Sequence, residues 1–349
     1  MLQSPRSSGA HRRGLVKRRG SVAVAGAALV AAGAVALSPA LPAAATPSHP
    51  HVSIVVIGGA SDDPFFSTVK NGVDAAASAV SPLGGKVTYL EMPNYDNIGP
   101  DAAKLAQTAL SLHPNVIAVP DWVPSAEDAV LSRIHKAGIT LIVYNSGTFS
   151  HVTALGSLTY IGTDYYQSGL AGGKEFVSAG AKNIVCVNTV PGDTSAEAMC
   201  SGYQNAEKAG GGSYSELELP TTSFGNPTAV AQAVKSELIT HSSIDGVAVF
   251  GAQDADSAAA GIQQANDTQK VKLIGYNLST NTLNRIKAGT QLATIDQQPY
   301  AQGFYTVMAG FQYVAYGINL ASRPILTGPL VIDSKNVNQA IAGTALGVR

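Results

Sequence analysis

The stretch Val52–Phe66, VSIVVIGGASDDPFF, decides the fold of this 349-residue chain. Its first six residues are mostly apolar and β-branched, which predicts a strand that ends at Ile57 and is buried on both faces. A glycine pair then lets the backbone turn. Asp63 before Pro64 is typical of a helix start, because the carboxylate accepts from free backbone N–H groups and proline fixes a helical φ. The stretch therefore predicts a strand, a polar loop and a helix from Phe65.

The loop after this strand is a candidate ligand-binding segment, because ligands of open α/β sheets bind at the carboxyl ends of the strands. Asp63, Phe65 and Phe66 are its candidate contacts. A second interpretation is that Asp63 only caps the helix and that both phenylalanines belong to the core. The local pattern by itself favours this second interpretation.

A basic segment and then an apolar segment precede the first strand. Two arginine pairs and a lysine within residues 12–19 are followed by an uncharged run over 22–37 and by Ala43-Ala44-Ala45. This order predicts that residues 1–45 are an export signal, cleaved near Ala45. The apolar run is shorter than the ~20 residues of a membrane-spanning helix, and no cysteine follows it to carry a lipid anchor. We expect an exported protein, periplasmic or at the cell surface.

Charge and motifs exclude several classes of function. The chain carries 22 lysine and arginine residues against 23 aspartate and glutamate residues, so nucleic acid is not an expected partner. The sequence contains no Gly-x-Ser-x-Gly, His-Glu-x-x-His, Gly-x-Gly-x-x-Gly, Walker or Cys-x-x-Cys motif. Its scattered histidines show no metal-ligand spacing. We expect no enzyme, no cofactor and no metal.

Cys186 and Cys200 are the only cysteines. They form either a disulfide or two buried thiols, and export to an oxidising compartment favours the disulfide. A bridge over so short a loop would contribute roughly 3 kcal/mol and would hold the segment 190–193 between the two cysteines.

Strands and helices alternate along the rest of the chain. The further predicted strands are 86–92, 116–120, 140–145, 158–162, 183–188, 215–219, 246–250, 272–277 and 292–296. The further predicted helices are 101–111, 125–137, 164–179, 195–209, 227–240, 254–266, 282–287 and 301–316, followed by a tail of small and polar residues. We predict an α/β fold with two doubly wound, Rossmann-like lobes and a ligand cleft between them. The N-terminal lobe is expected to hold 52–162 and 298–327, and the C-terminal lobe 163–297 and 328–349.

Polar side chains recur directly after the predicted strands, at Asp121, Asn145, Gln253, Asp254, Asn277 and Gln297. Each could be a helix cap or a turn former, Asp254 above all, but together they predict polar groups facing one cleft. Amides donate and accept hydrogen bonds, which suits the hydroxyl groups of a neutral ligand. Flat apolar faces for sugar C–H groups come from Phe66, Trp122, Phe224 and Tyr276. Trp122 either faces the ligand at the rim or packs against Pro124, and the sequence leaves both open.

These residues resemble the ribose-binding protein family, which has the type I periplasmic-binding-protein fold and delivers sugars to ABC importers. The resemblance covers about 52–330 and is carried by the segments 63–66, 144–145, 194–196, 202–203, 224, 250–254, 274–277 and 293–297. It implies a ligand site formed by Asp63, Phe65, Phe66, Asn145, Phe224, Gln253, Asn277 and Gln297.

The chain departs from this family at three charged positions. Asn145-Ser146 stands where the family has Asp-Arg, Met199 replaces an arginine, and Asn277 replaces an aspartate. Because charge-assisted hydrogen bonds are roughly twice as strong as neutral ones, an aldopentose such as ribose is disfavoured. An anion is disfavoured too, since the predicted site offers Asp63 and no arginine.

The sequence thus predicts a monomeric solute-binding protein that captures a neutral sugar or polyol and delivers it to the permease of an ABC importer. An alternative is a ligand-sensing module that partners a membrane receptor or kinase. A third is a secreted glycan-active enzyme with a carboxylate pair drawn from Asp63, Asp121, Asp254 and Asp296.

Overall fold

A computed structural model describes residues 50–320 and 323–349. The predicted export signal, 1–45, lies outside the described residues. The strands are β1 Val52–Ala60, β2 Gly85–Met92, β3 Val116–Val119, β4 Thr140–Asn145, β5 Tyr160–Thr163, β6 Asn183–Asn188, β7 Ser213–Glu218, β8 Gly246–Val249, β9 Lys272–Tyr276, β10 Ala293–Asp296, β11 Ile325–Gly328 and β12 Leu330–Ile332. The helices are α1 Pro64–Val80, α2 Ile98–Ser111, α3 Pro124–Lys136, α4 Phe149–Ala154, α5 Tyr165–Ser178, α6 Thr194–Ala209, α7 Pro227–Thr240, α8 Ala252–Gln264, α9 Thr280–Ala288, α10 Pro299–Tyr316 and α11 Val337–Ala345.

The strands form two six-stranded sheets with equivalent strand orders, β11-β5-β4-β3-β1-β2 and β12-β10-β9-β8-β6-β7. All pairings in the first sheet are parallel, and in the second only β12 runs antiparallel, against β10. The chain passes between the sheets after β5, after β10 and between β11 and β12. The predicted fold class, two doubly wound α/β sheets, is confirmed, and we retain the predicted lobe limits as a proposal.

The first strand is buried on both faces, as predicted. Ile54 and Val56 pack into a cluster with α1 and α10, whereas Val55 and Ile57 pack into a second cluster with α2 and α3. Fully burying each such side chain contributes about 1.5–3 kcal/mol, so this strand anchors the two layers of helices around its sheet.

The predicted end of this strand at Ile57 is wrong. β1 continues to Ala60, because Gly58 and Ala60 still pair with Glu91 and Met92 of β2 across a register shift. A Cβ on Gly59 would overlap the Tyr95 hydroxyl and the Phe66 ring. Gly59 therefore lets these two side chains approach the strand, and the glycine pair lies within β1 and does not form the turn.

Two further features of the fold are a close helix pair and an ordered tail. Gly169 lets α5 pack closely against α6, since a Cβ on this glycine would overlap the Met199 carbonyl of α6. The closing tail is more ordered than predicted and forms β11, β12 and α11. Its strands are the edge strands of the two sheets, so the tail joins both lobes.

Candidate functional site

A cavity of about 500 Å³ lies between the carboxyl ends of the two sheets. Its volume is within the usual range for small-molecule sites. All nine residues predicted as ligand contacts line it: Asp63, Phe65, Phe66, Trp122, Asn145, Phe224, Gln253, Asn277 and Gln297. The parallel topology brings them together, because strand ends that are far apart in sequence share one edge of a sheet.

Asp63 is both the cap of α1 and part of the cavity wall, and its contact with a ligand stays a prediction. It is the N-cap of α1, where its Oδ1 accepts from Phe65 N at 2.8 Å, and its Oδ2 accepts from the Tyr95 hydroxyl at 2.6 Å. Burial raises the pKa of this carboxyl, against the lowering effect of both hydrogen bonds. Phe65 and Phe66 likewise belong to the core cluster of the first sheet and also line the cavity.

Trp122 lies in the loop after β3 and is partly buried. Its ring meets Phe66 edge to face, with the centroids 5.6 Å apart. Phe66 in turn meets Phe65 edge to face at 5.1 Å. The three rings form an apolar wall of the cavity on the side of the first sheet.

Asn145 and Asn277 occupy equivalent positions at the ends of β4 and β9. Both adopt a left-handed backbone, with φ of 62° and 65°, a conformation that asparagine tolerates better than most residues. The Asn277 Oδ1 accepts from Gln297 Nε2 at 2.8 Å, and the Gln297 Oε1 accepts from the Tyr165 hydroxyl at 3.1 Å. These two hydrogen bonds fix the orientation of the Asn277 and Gln297 amides on the side of the second sheet.

The two sheets also make direct contacts across the cleft. Ser146 Oγ lies 3.3 Å from Asp193 Oδ2 and 3.0 Å from Ser195 Oγ. The rings of Tyr95 and Phe224 meet edge to face, with the centroids 5.3 Å apart. Polar and aromatic contacts therefore hold the lobes together in this conformation.

The cavity-lining residues that sequence reasoning missed include Tyr95, Tyr165, Asp193 and Phe250. Phe250 stacks on Tyr276 with the rings 5.4 Å apart and nearly parallel, at 7°. Asp193 caps α6 by accepting from Ser195 N and Ala196 N at 2.8 Å, and burial raises its pKa to about 6. An Asp directly before a helix start was the available signal for Asp193, since Asp63 also directly precedes its helix.

The structure corrects two predictions about acidic residues at strand ends. Asp254 is not the helix cap, because Gly251 is the N-cap of α8 and Asp254 lies in the first turn. Its Oδ2 accepts from Thr189 Oγ1 at 2.9 Å, and burial raises its pKa to about 6. Asp121 does not line the cavity, although it was expected to face the cleft with the others. It is fully buried behind the Trp122 loop, and burial raises its pKa to about 7.

The cavity wall contains more acidic side chains than the sequence predicted. Besides Asp63, the cavity wall contains Asp96, Asp193 and Asp254. Among the described residues, those that line the cavity include no lysine, arginine or histidine. Met199, which replaces a family arginine, is buried in the core of the second sheet. The lining is therefore acidic, amide-rich and aromatic.

The wider chain is similar to known proteins. Residues 54–317 match the family described as periplasmic binding protein domain. The chain is 25% identical over 311 residues to the xylose/arabinose-binding protein XylF of Sulfolobus acidocaldarius, an alignment that covers 83% of this chain and 73% of that protein. In the part of the chain that the structure describes, no helix is long and apolar enough to cross a membrane.

Solved structures of other proteins share the fold of this chain. A carbohydrate transporter from Acidothermus cellulolyticus in complex with myo-inositol has a TM-score of 0.77 at 27% identity, with 86% of this chain and 100% of that chain covered. The XylFII–LytSN complex shares the fold, with a TM-score of 0.71 at 20% identity over 82% of this chain and 99% of that chain. Because the family match spans most of the sequence, the chain belongs to the periplasmic binding protein family with the type I fold, and it is a binding protein and not an enzyme.

Proposed function

We propose that the protein captures a neutral sugar or polyol between its two lobes and delivers it to an ABC importer. The observation that carries this proposal is the composition of the cavity wall. Amides and carboxylates recognise hydroxyl groups by hydrogen bonds, and the aromatic faces beside them suit sugar C–H surfaces. A wall with four carboxylates and no basic side chain disfavours an anion.

The ligand contacts in this proposal divide between the lobes. Asp63, Phe65, Phe66, Trp122 and Asn145 would bind from the first sheet, and Phe224, Gln253, Asn277 and Gln297 from the second. Neither set encloses a ligand alone, so we expect binding to be coupled to closure of the cleft. The ligands in the names of two relatives, xylose or arabinose for one and myo-inositol for the other, are neutral polyhydroxylated molecules, which supports this broad ligand class. Xylose and arabinose are aldopentoses, which the departures from the ribose-binding protein family disfavour, so the polyol is the better guide.

Delivery to a permease requires an extracytoplasmic protein. The predicted signal at 1–45, with cleavage near Ala45 and no cysteine after its apolar run, supports export without a lipid anchor. Membership in a periplasmic family agrees with this location. We propose that the exported protein acts as a monomer with the permease subunits as partners.

The test is a thermal-shift screen over pentoses, hexoses, inositols and other polyols, with sugar phosphates and amines as charged comparisons. A ligand at 100 times its Kd adds about 2.7 kcal/mol to the free energy of unfolding, which is readily seen as a higher melting temperature. We expect a neutral polyhydroxylated compound to give the largest shift. A sugar phosphate or an amine as the best ligand would contradict the proposed ligand class.

A sensing role is a second candidate, because a structural neighbour, XylFII, is found in a complex with LytSN. Deleting the gene separates the two roles. Transport predicts loss of uptake of the labelled sugar at low concentration. Sensing predicts that uptake through a constitutively expressed transporter persists while induction by the sugar is lost.

A further inference from the structure

Three potential metal ligands meet beside the cleft but outside the cavity wall: Asp121, Asp128 and His151. Their ligand atoms all lie within 4.8 Å of one another. The His151 Nε2 is 2.9 Å from Asp128 Oδ1 and 3.5 Å from Asp121 Oδ2. Asp121 lies in the loop after β3, Asp128 in α3 and His151 in α4. The three residues meet only when these elements pack around the first sheet, so the local sequence does not reveal the cluster.

Asp121 is the unusual member of this cluster. It is 0% exposed, and within the described residues neither of its carboxylate oxygens has a hydrogen-bond partner. Burying a carboxylate without donors is unfavourable unless a positive charge compensates it. Its backbone N–H donates to the Ser146 carbonyl at 3.2 Å, so the chain holds this side chain in place beside His151.

We propose that Asp121, Asp128 and His151 form a binding site for a divalent transition-metal ion, with Zn²⁺ as the best-fitting ion. Tetrahedral zinc with ligands at about 2.1 Å places neighbouring ligand atoms about 3.4 Å apart. The Asp121–His151 separation already has this value, and the Asp128–His151 pair would open by about half an ångström.

The exposure of the three side chains fits an open metal site. Asp128 and His151 are each 37% exposed, so an ion can enter from solvent and a water molecule can complete the coordination. The imidazole nitrogen favours Zn²⁺ over Ca²⁺ and Mg²⁺, which prefer shells made of oxygen alone. Because Asp121 is followed directly by Trp122, an ion bound here would stabilise the loop after β3, which forms the rim of the cavity.

The proposal is tested by zinc titration of the untagged protein after dialysis against a chelator, since a polyhistidine tag would itself bind zinc. We expect one ion per chain by calorimetry and a higher melting temperature with Zn²⁺ than with equal Ca²⁺ or Mg²⁺. Asp121→Asn and His151→Gln each remove one ligand with little change of shape. Each is expected to weaken zinc binding by about 100-fold or more, since even residues behind the ligands change affinity 10–100-fold.

A matched control is His241→Gln. His241 is exposed at the C-cap of α7, and its Nδ1 lies 3.0 Å from Glu237 Oε1. The substitution is therefore the same, but within the described residues His241 belongs to no cluster of three potential metal ligands. This variant should bind zinc like the parent. Absence of stoichiometric binding, equal stabilisation by Ca²⁺, or zinc binding that survives both Asp121→Asn and His151→Gln would overturn the proposal.

Discussion

The same turn from strand to helix is built twice, once in each lobe, and the two copies use their acidic residue differently. Asp63 caps α1 and Asp193 caps α6 with nearly the same backbone angles, φ −78° and ψ 116° against φ −76° and ψ 119°. The other oxygen of Asp63 accepts from Tyr95 in its own lobe, whereas that of Asp193 accepts from Ser146 in the opposite lobe. One turn thus shapes the cavity wall, and the other also joins the lobes.

The walls around these turns differ as well. The first-sheet side presents Phe65, Phe66 and Trp122, while the second-sheet side presents Gln253, Asn277 and Gln297. The second side also contains Phe224, Phe250 and Tyr276, and the first side also contains Asp63 and Asn145. Because the hydrogen-bonded amide pair Asn277–Gln297 lies on the second side, we expect hydrogen-bond specificity to depend most on the second lobe.

The largest expected effect comes from removing an amide from the second lobe. Gln297→Ala removes the donor to the Asn277 Oδ1, in addition to the partner of any ligand hydroxyl, while the Tyr165 hydroxyl still donates to the Asn145 carbonyl. We expect a loss of about 1–3 kcal/mol per unpaired group, roughly 5- to 150-fold in Kd for each. Asn277→Ala should act similarly. Calorimetry with the ligand identified by the screen measures both.

Gln232→Ala is the control for this experiment, because Gln232 pairs with Gln264 on an exposed face of α7 and α8. It should bind the ligand like the parent. Normal affinity in both Gln297→Ala and Asn277→Ala would contradict the assignment of specificity to the second lobe.

The second-largest expected effect distinguishes the two helix caps, Asp63 and Asp193. Asp63→Ala and Asp193→Ala each remove a helix cap and should lower the free energy of unfolding by about 1–2 kcal/mol, as measured in urea. Only Asp193→Ala also removes a contact between the lobes, so only this variant should show a larger radius of gyration without ligand. Small-angle scattering measures this radius. An equal increase in both variants would contradict the conclusion that only Asp193 joins the lobes.

The third effect is a dependence of stability on pH. Burial raises the pKa of Asp193 from 3.8 to about 6, so the folded state binds its proton more tightly than the unfolded state. The protonated carboxyl therefore stabilises the fold below pH 4, and this contribution is lost as pH rises to about 6. Asp254 has a pKa of about 6 for the same reason and acts in the same direction.

From these values, the contribution of Asp193 to the free energy of unfolding should rise by about 1 kcal/mol as pH falls from 7 to 5. Asp193→Asn, which keeps the cap, should lack this increment in urea unfolding at pH 5, 6 and 7. Asp74→Asn, at an exposed site of α1, serves as the control. The same slope in Asp193→Asn and the parent would show that the group does not titrate as stated.

The smallest expected effect concerns Trp122 in the apolar wall. Trp122→Ala should weaken ligand binding by about 1 kcal/mol, roughly fivefold, because it removes one aromatic face while Phe65 and Phe66 remain. Trp122→Phe should keep most of the affinity. Since Trp122 is the only tryptophan, ligand addition should also shift the intrinsic emission of the parent. Unchanged affinity in Trp122→Ala would assign the residue to packing alone.

Eight of the nine predicted cavity residues were predictable because they follow a strand whose apolar or β-branched pattern is strong, whereas Phe224 was implied by the resemblance to the ribose-binding protein family. Parallel strands bring their carboxyl ends to one edge, so position at a strand end implies position in the cleft. Tyr95 was not predictable in this way, since it reaches the site only because Gly59 leaves room above β1. The space above Gly59 depends on the pairing of β1 with β2 and not on the local sequence.

Asp121 shows the limit of the strand-end argument. It and Gln253 follow the equivalent strands β3 and β8, yet Gln253 lines the cavity and Asp121 is buried beside Asp128 and His151. The direction of a side chain in a loop depends on the helix that follows and on its neighbours in space. Spacing in the sequence contains no information about either.

The sequence by itself determined the strand and helix units up to α10, apart from α4, and the helix cap at Asp63, because these depend on hydrophobic periodicity and on contacts a few residues apart. The tertiary structure decided what depends on distance in space. It placed Cys186 and Cys200 with their Cα atoms 5.8 Å apart in a disulfide, directed Asp193 across the cleft to Ser146, and brought His151 to Asp121. These contacts follow from strand order and lobe crossing, which arise only when the whole chain packs.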